Sequence, residues 1–276
     1  MSYNLLKGKK GIIFGALDED SIAWKVAERA FDEGAAIVLT NTELALRLGK
    51  IQQLAEKCNN SPVIAADVTS IPDLENLFTE TMKLLGGPID FILHSVGMSP
   101  NVRKELPYDN LNYENFMKTI NISALSFHKV LQTAKKMDAI NEFGSVVALS
   151  YIAAQQTYAT YSDMAEAKSM LESIARSFGY HYGIAKNVRI NTVSQSPTRT
   201  IAGSGVKGFD SFYCYAECMS PLGNATALDC ADYCITLFSD LTRKVTMQNL
   251  FNDGGFSSMG MSEHLITECF HCRLPR

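Results

Sequence analysis

The chain has 276 residues, of which 46% are hydrophobic and 20% are charged, which is enough for one large α/β domain or two small ones. Its 25 basic and 29 acidic residues give a net charge of −4, so the charge balance gives no reason to expect nucleic acid or an anionic membrane as a partner. No stretch approaches the roughly 18 apolar residues of a membrane span, and the start MSYNLLKGKKGIIFG lacks the apolar core of a signal peptide. We therefore expect a cytoplasmic protein.

Seven cysteines are present, and their spacing bears on both disulfides and metal sites. Two pairs are four residues apart, as on a helix, and Cys269 and Cys272 form one C-x-x-C pair near the end of the chain. Structural zinc sites usually combine two such pairs, or one pair with histidines at set distances. We therefore expect no metal, and we interpret the cysteines as reduced and mostly buried thiols.

Short apolar or β-branched runs alternate with longer segments of helical period, which predicts βαβ units and a parallel sheet. The predicted strands are 11–15, 36–40, 62–66, 89–95, 144–150, 187–193 and 247–251. The predicted helices lie at 21–33, 43–58, 71–85, 113–137, 161–183 and 226–240. These elements predict one doubly wound, Rossmann-like α/β domain at 1–260, with helices on both faces of a seven-stranded parallel sheet. The remaining tail, 261–276, receives no role.

The end of the first strand is the first candidate for a cofactor contact, because open parallel sheets bind ligands outside the carboxyl ends of their strands. Gly15 permits a tight turn there, and Ser21 is placed to begin the next helix, whose N–H groups favour an anion. Only the first glycine of the dinucleotide fingerprint G-x-G-x-x-G is present, and the acidic residues 18–20 oppose a pyrophosphate unless they face solvent. An ordinary capped turn is the alternative.

The ends of the next three strands carry further candidates. Thr40–Thr42 follows the second strand, where NAD enzymes usually have Asp or Glu and NADP enzymes use Arg. Neutral hydrogen-bonding residues favour an unphosphorylated ribose and hence NADH. Asp67 and Val68 follow the third strand and form either an adenine contact or a helix-capping turn. His94–Gly97 follows the fourth strand and ends in a glycine that lets the backbone approach the expected nicotinamide ribose.

Residues 194–223 break the alternation, because this segment of 30 residues between the sixth strand and the last predicted helix contains no predicted element. They mix glycines with large apolar side chains, including Phe209, Phe212 and Met219. A long segment with its own apolar side chains is more often a lid over a ligand than a disordered linker. We predict a substrate lid at 198–219, and a linker is the alternative.

The stretch YATYSDMAEAK, from Tyr158 to Lys168, places two tyrosines near a lysine at the predicted start of a helix. On an α-helix, positions seven apart are only about 20° out of register, so Tyr161 and Lys168 are predicted to share a face. Tyr158 lies roughly 80° off that face and is interpreted as a bystander. Because such a pair also occurs by chance, its assignment depends on the other motifs.

Several motifs recur together and in order over nearly the whole chain: Gly15-x5-Ser21-Ile22-Ala23, His94-Ser-Val-Gly97, Leu149-Ser-Tyr151 with Tyr161-x6-Lys168, Ser196-Pro-Thr-Arg-Thr200 and Asn252-Asp-Gly-Gly-Phe256. In these motifs the sequence resembles the NADH-dependent enoyl-acyl-carrier-protein reductases of bacterial fatty-acid synthesis, a divergent branch of the short-chain dehydrogenase/reductases. The specific feature is the six-residue gap between Tyr161 and Lys168. Ordinary members of the superfamily have Tyr-x3-Lys, and position 165 is Ala here.

The resemblance implies a role for each matching residue. The implied cofactor contacts are Gly15, Ser21 and Ile22 at the pyrophosphate, Thr42, Asp67 and Val68 at the adenosine, Val96 beside the nicotinamide, Lys168 at the ribose hydroxyls, and Thr198, Arg199, Thr200, Ile201 and Ala202 around the cofactor. The implied catalytic residues are Tyr151, Tyr161 and Lys168. The predicted substrate contacts are Gly97, Ser99, Tyr151, Val206, Phe209 and Phe212.

The resemblance also implies a homotetramer that acts on a trans-2-enoyl thioester carried on acyl carrier protein. In the implied reaction, hydride goes to the β-carbon, the thioester carbonyl becomes an enolate oxygen, and the α-carbon is then protonated.

Two positions of the sequence differ from the family pattern or match the wider superfamily. Many relatives have Ala-Gly-Pro where this chain has Gln195–Pro197, which alters the predicted wall near the nicotinamide. Asn121 sits where many members of the superfamily keep a structural Asn.

Two rival functions remain open at this stage. A β-ketoacyl or other carbonyl reductase of the same superfamily is opposed by the missing Tyr-x3-Lys spacing and by Ser150, which directly precedes Tyr151 instead of lying further upstream. A dinucleotide-binding sensor without catalysis is opposed by the complete set of Tyr151, Tyr161 and Lys168.

Overall fold

The computed structural model describes residues 2–204, 206, 208–263 and 265–267; Cys269, Cys272 and most of the predicted tail lie outside these residues. The strands are β1 (Lys10–Phe14), β2 (Ala36–Asn41), β3 (Val63–Ala65), β4 (Ile89–His94), β5 (Ile140–Ser150), β6 (Arg189–Gln195) and β7 (Asn249–Asn252). They form one sheet in the order β3-β2-β1-β4-β5-β6-β7, and every neighbouring pair is parallel.

Helices connect the strands. The α-helices are α1 (Ile22–Asp32), α2 (Glu43–Leu48), α3 (Ile51–Lys57), α4 (Ile71–Leu85), α5 (Pro100–Arg103), α6 (Tyr113–Ile120), α7 (Ser126–Lys136), α8 (Met164–Lys186), α9 (Ile201–Ser204), α10 (Phe209–Met219) and α11 (Ala227–Phe238). Short 3-10 helices lie at Tyr108–Asn110, Ile152–Ala154, Asp240–Thr242 and Phe256–Ser258. Across the described ranges, no helix is long and apolar enough to cross a membrane.

Two hydrophobic cores cover the two faces of the sheet, because successive side chains of a strand point to opposite faces. Ile12 on β1 and Ile92 on β4 pack with residues of α4, α7 and α8. Ile13 and Leu93, on the same strands, pack with residues of α1, α3 and α11. A parallel sheet covered on both faces needs strands that are apolar throughout, as the runs GIIFG and FILH are. The predicted doubly wound, Rossmann-like fold is confirmed.

The strand order places a ligand crevice between β1 and β4. The chain leaves β1 towards β2 and β3 on one side and returns to β4 on the other side. Sheets of this kind bind ligands at such a reversal, outside the carboxyl ends of the strands. Gly15 follows β1 and Ser95 follows β4, so these two residues stand at the crevice.

The predicted helix 43–58 is wrong in one respect, because it is two helices, α2 and α3. The Lys50 amide donates to the Leu17 carbonyl at 2.9 Å, and a Cβ at Gly49 would lie 2.8 Å from the same oxygen. This contact with the loop after β1 draws the backbone out of helical geometry at the end of α2. Glycine at position 49 permits the close approach.

The predicted helix 113–137 is interrupted by a π-helical turn, Asn121–Leu125, between α6 and α7. Such turns insert an extra residue into a helix and are frequent near functional sites. Ser126, just after the turn, lies with its Oγ 2.9 Å from the Nε2 of buried His94. Asn121, at its start, accepts a hydrogen bond from Lys129 Nζ at 2.8 Å. Asn121, the asparagine noted in the sequence, therefore joins the start of the π turn to α7.

Candidate active site

Backbone atoms from the ends of β1 and β4 meet at the crevice. Gly15 has a φ of +94°, and its amide donates to the Thr40 carbonyl at 3.1 Å. A Cβ at this position would lie 2.0 Å from the carbonyl oxygen of Ser95, which no side chain tolerates. Glycine is therefore required both by the left-handed backbone and by the contact with the loop after β4.

The loop before α1 is closed by Ser21, whose Oγ donates to the Asp18 carbonyl at 2.8 Å. The Asp18 carboxylate in turn accepts the Ser21 amide at 3.1 Å, so this amide is engaged within the loop. Glu19 and Asp20 are exposed. The first turn of a helix leaves backbone N–H groups without intrahelical partners. The start of α1 can therefore accept a pyrophosphate at Ile22, and this contact stays a prediction.

The residues predicted at the adenosine all make local contacts. Thr42 is exposed and caps α2 through its hydroxyl, while Arg47 is 74% exposed and lies 3.6 Å from Glu43. Asp67 Oδ1 accepts the amide and the hydroxyl of the residue two positions on, at 2.8 and 2.7 Å, and Val68 is buried in the core. The capping-turn alternative is therefore observed at Asp67, and the adenine contact stays a prediction.

Lys168 lies on α8 with its ammonium beside the loop after β4. Its Nζ donates to the Leu149 carbonyl at 2.8 Å, and a Cβ at Gly97 would lie 3.7 Å from Nζ. Burial lowers the pKa of Lys168 to about 8, although the nearby Glu172 carboxylate acts in the opposite direction. The glycine leaves open the space beside the ammonium, which fits a ribose held there by a charged donor.

Three tyrosines form one aromatic cluster. The ring centroid of Tyr151 lies 4.9 Å from that of Tyr161 and 5.3 Å from that of Tyr158. Burial raises the pKa of all three phenols, that of Tyr158 to about 12, so each stays a neutral hydrogen-bond donor at neutral pH. Tyr158 thus contacts Tyr151, a contact that the angle between helix positions did not predict. No catalytic role follows from this contact.

The helical geometry used to select Tyr161 is wrong, because α8 begins only at Met164. Residues 158–163 form a turn in which the Tyr161 amide donates to the Tyr158 carbonyl at 3.1 Å. Ser162 takes a left-handed φ of +50° in this turn. A turn, and not the face of a helix, therefore brings Tyr161 against Tyr151.

The sequence did not point to the buried carboxylate of Asp163, which lies in the same turn and is 0% exposed. Ser99, predicted to line the substrate site, is itself buried and lies with its Oγ 2.6 Å from Asp163 Oδ1. The sequence does show an acidic residue inside the Tyr-x6-Lys motif. It does not show that residues 99 and 163, which are 64 positions apart, form a hydrogen bond. The substrate contact of Ser99 stays a prediction.

The residues predicted to wrap the cofactor begin just after β6. The Thr198 hydroxyl donates to a backbone carbonyl two residues earlier at 2.9 Å, and the Thr200 hydroxyl accepts a backbone amide three residues on at 3.0 Å. Ile201 is 60% exposed and opens α9, which includes Ala202. Val206 is partly buried and packs against the core on the face of the sheet that α4, α7 and α8 cover. Contact of these residues with a cofactor or an acyl chain stays a prediction.

The rest of the predicted lid is the helix α10, tied to the preceding loop by Arg199. The Arg199 guanidinium pairs with Asp210 at 2.7 Å and lies 4.4 Å from the ring centroid of Tyr213. Phe209 is buried, and its ring centroid lies 5.0 Å from that of Phe212 and 5.8 Å from that of Tyr213. The segment therefore has its own packed apolar cluster, which favours a lid over a linker.

Polar side chains form cross-links at the end of β6. Gln195 Nε2 donates to the Ala225 carbonyl at 2.9 Å, and its Oε1 accepts from Asn252 Nδ2 at 2.8 Å. Ser196 Oγ accepts the Ala225 amide at 2.9 Å. These side chains join the ends of β6 and β7 to the loop before α11.

Comparison with known proteins then decides the family. The model described as "Enoyl-(Acyl carrier protein) reductase" matches residues 15–257. The chain belongs to this family. It is 32% identical over 264 residues to the enoyl-[acyl-carrier-protein] reductase [NADH] FabI of Rickettsia bellii, covering 95% of this chain and 99% of that protein. The family predicted from the spaced motifs is confirmed.

Solved structures give the same result. The FabI–NADH complex from Alistipes finegoldii is 68% identical, with a TM-score of 0.93, over 94% of this chain and 92% of that one. The Bacillus cereus enoyl-acyl carrier protein reductase with NADP+ and indole naphthyridinone is 30% identical, with a TM-score of 0.86, over 93% of this chain and 99% of that one. Within the described part of this chain, no group of three or more His, Cys, Asp or Glu side chains could share a metal ion.

Proposed function

We propose that this protein reduces the trans-2 double bond of an enoyl thioester with NADH in fatty acid biosynthesis. The family and the relatives described above confirm the reaction class and the cofactor predicted from the sequence. One observation carries the assignment to this chain. The ring of buried Tyr151 packs against that of half-buried Tyr161, and the buried Lys168 ammonium donates to the Leu149 carbonyl near the end of β5. We also propose, as the family name implies, that the acyl chain arrives on acyl carrier protein in the cytoplasm.

The residues at the crevice fit the cofactor. The space left by Gly97 beside Lys168 Nζ suits the ribose, and the tight turn at Gly15 with the start of α1 suits the pyrophosphate. When bound, NADH supplies a hydride to the β-carbon of the enoyl thioester. Negative charge then develops on the thioester oxygen, where the neutral hydroxyl of Tyr161 donates a hydrogen bond. The raised pKa of this phenol keeps it protonated for that role.

The proposed reaction is tested by NADH oxidation with crotonyl thioester compared with acetoacetyl thioester. Turnover of the crotonyl thioester with none of the acetoacetyl thioester is the expected result. The reverse preference identifies a carbonyl reductase. NADH binding with no turnover of either thioester identifies a dinucleotide sensor.

NADH is expected to be preferred over NADPH. The neutral residues at the end of β2 offer no cation for a 2′-phosphate, and the nearest arginine, Arg47, is paired with Glu43. The ratio of kcat/KM for the two cofactors measures this preference. A preference for NADPH of tenfold or more would contradict it. The comparison is informative because a relative has been solved with NADP+.

We propose that residues 198–219 are a lid that closes over cofactor and acyl chain as part of one reductase domain, 1–260. Burial of each large apolar side chain of the lid stabilises the closed form by about 1.5–3 kcal/mol. Limited proteolysis is expected to cut this segment in the free enzyme and to spare it when NADH and an acyl ligand are bound. Equal rates of cutting in both states would show that no lid closes.

We retain the homotetramer as a proposal, because the family resemblance implies it. We propose that a second copy contacts a groove of about 710 Å³ between α7 and α8, whose lining includes Gln132, Met170, Ile174 and Phe178. Sedimentation equilibrium of the full chain gives the number of copies.

A further inference from the structure

Asp163 joins three segments of the chain around one carboxylate. Its Oδ1 lies 2.6 Å from Ser99 Oγ, and its Oδ2 lies 2.7 Å from Asn101 Nδ2 and 2.9 Å from Thr119 Oγ1. All four residues are buried. Ser99 and Asn101 follow the loop after β4, Thr119 lies on α6, and Asp163 lies in the turn before α8. The carboxylate therefore connects the segment beside the crevice to the turn that carries Tyr161.

The donors are themselves held in place. Ser99 Oγ accepts the amide at the start of α5 at 3.0 Å, which leaves its hydrogen for Asp163. Asn101 Nδ2 has two hydrogens, and its second one reaches the carbonyl of Asn112 at 3.1 Å. The Thr119 hydroxyl has one hydrogen, shared between Asp163 and a carbonyl of its own helix at 3.0 Å. The carboxylate is thus surrounded by fixed groups that define its position.

The turn that Asp163 anchors is strained. Ser162, between Tyr161 and Asp163, has a φ of +50°, a conformation in which the Cβ of an L-residue is crowded by its own backbone. Its buried Oγ has no hydrogen-bond partner in the described structure, so the serine side chain does not itself stabilise the turn. Strained backbone of this kind persists where neighbouring contacts enforce it. The three side-chain hydrogen bonds accepted by the adjacent Asp163 carboxylate are contacts of this kind.

We propose that Asp163 is a positioning residue for the reduction, a role that rests on the function proposed above. Asp163 is 0% exposed, and both of its carboxylate oxygens accept hydrogen bonds from protein side chains. Its hydrogen bonds hold the strained turn in the conformation that places the Tyr161 phenol against Tyr151, and they fix this turn relative to the loop after β4. Loss of the carboxylate lets Ser162 relax towards ordinary backbone angles and moves Tyr161 away from the thioester oxygen.

The test is Asp163→Asn, which keeps the size of the side chain but offers one acceptor oxygen and turns an N–H₂ group towards the other donors. A misplacement of about 1 Å costs as much as 10²-fold in rate, so kcat on crotonyl thioester is expected to fall by about 10- to 100-fold. The dissociation constant for NADH is expected to stay within about twofold, because Lys168 keeps its own hydrogen bond to the Leu149 carbonyl. Ser162→Gly in the Asp163→Asn background is expected to restore at least tenfold of the lost kcat, because glycine adopts the left-handed turn without strain.

Tyr182→Phe is the matched control. It removes another buried hydrogen bond of α8, from the Tyr182 hydroxyl to the Leu131 carbonyl at 3.0 Å, far along the helix from the turn. This variant is expected to lower the melting temperature while leaving kcat unchanged. If Asp163→Asn does not fold, Thr119→Val removes a single donor and is expected to lower kcat by about threefold to tenfold with NADH affinity retained.

The outcomes separate the possible failures. Asp163→Asn with kcat within twofold of wild type, or a loss of kcat that Ser162→Gly does not reverse, would overturn the positioning role. A parallel loss of kcat and NADH affinity would also overturn it, because this would indicate general loss of the fold. If the wild-type protein itself reduces no enoyl thioester, the function proposed above fails, and the failure is not specific to Asp163.

Discussion

Tyr161→Phe is expected to lower kcat on an enoyl thioester by about 10²–10³-fold, while the dissociation constant for NADH stays nearly unchanged. Removing one preorganised donor to a developing oxyanion typically costs about 2.7–4 kcal/mol of transition-state stabilisation. NADH affinity should be retained because Tyr161 is not one of the predicted cofactor contacts. Phenylalanine at position 161 also keeps the ring contact with Tyr151. The measurement is steady-state kcat with crotonyl thioester, beside NADH titration by fluorescence.

Two neighbouring tyrosines provide the controls. Tyr151→Phe is expected to lower kcat by less than Tyr161→Phe, because Tyr151 can at most share the hydrogen bond to the oxyanion. Tyr158→Phe is expected to be close to wild type, since it keeps the ring contact with Tyr151. A Tyr161→Phe enzyme with near wild-type kcat beside a strongly impaired Tyr158→Phe enzyme would show that the catalytic donor has been assigned to the wrong tyrosine.

Lys168→Met is expected to weaken NADH binding and to lower turnover together. Methionine keeps much of the length and apolar stem of the lysine but loses its charge and its three donors. One hydrogen bond to a charged group contributes about 1.5–3 kcal/mol, so loss of one such bond to the ribose should lower the affinity for NADH by roughly 10- to 150-fold. If NADH affinity and kcat both stay within twofold of wild type, Lys168 has no role at the ribose.

The pH dependence of NADH binding tests the same lysine independently. Burial lowers its pKa from 10.5 to about 8, so the ammonium is present below about pH 8 and is lost as the pH rises above it. NADH affinity of the wild-type enzyme is therefore expected to fall as the pH rises through about 8. The Lys168→Met variant should lack this step, and an identical step in the variant would assign it to another group.

Most of the fold could be predicted from the sequence, because buried parallel strands are short apolar runs and the helices between them keep a helical period. The errors arose where contacts between distant segments decide the local structure. The break at Gly49 depends on the Leu17 carbonyl of another loop. The π turn at Asn121–Leu125 inserts an extra residue that no periodicity signals.

The residues of the candidate site were selected from motifs and from the family resemblance, and their roles stay predictions, but the local geometry around them could not be predicted. The motif Tyr-x6-Lys selected Tyr161 and Lys168 through the family resemblance. The two residues do not share one helix face, because α8 begins at Met164 and Tyr161 precedes it. Asp163 could not be selected from the sequence, since its partners lie more than forty residues away in the chain. Only the fold brings these donors around its carboxylate.

The position of the transferred hydrogen tests the proposed reaction most directly. The reaction of crotonyl thioester with NADH deuterated at the transferring carbon is expected to give butyryl thioester with one deuterium at the β-carbon, as read by mass spectrometry and NMR. Under the same conditions acetoacetyl thioester should gain no deuterium. Deuterium at the carbinol carbon of 3-hydroxybutyryl thioester, or none in either product, would contradict the assignment as an enoyl thioester reductase.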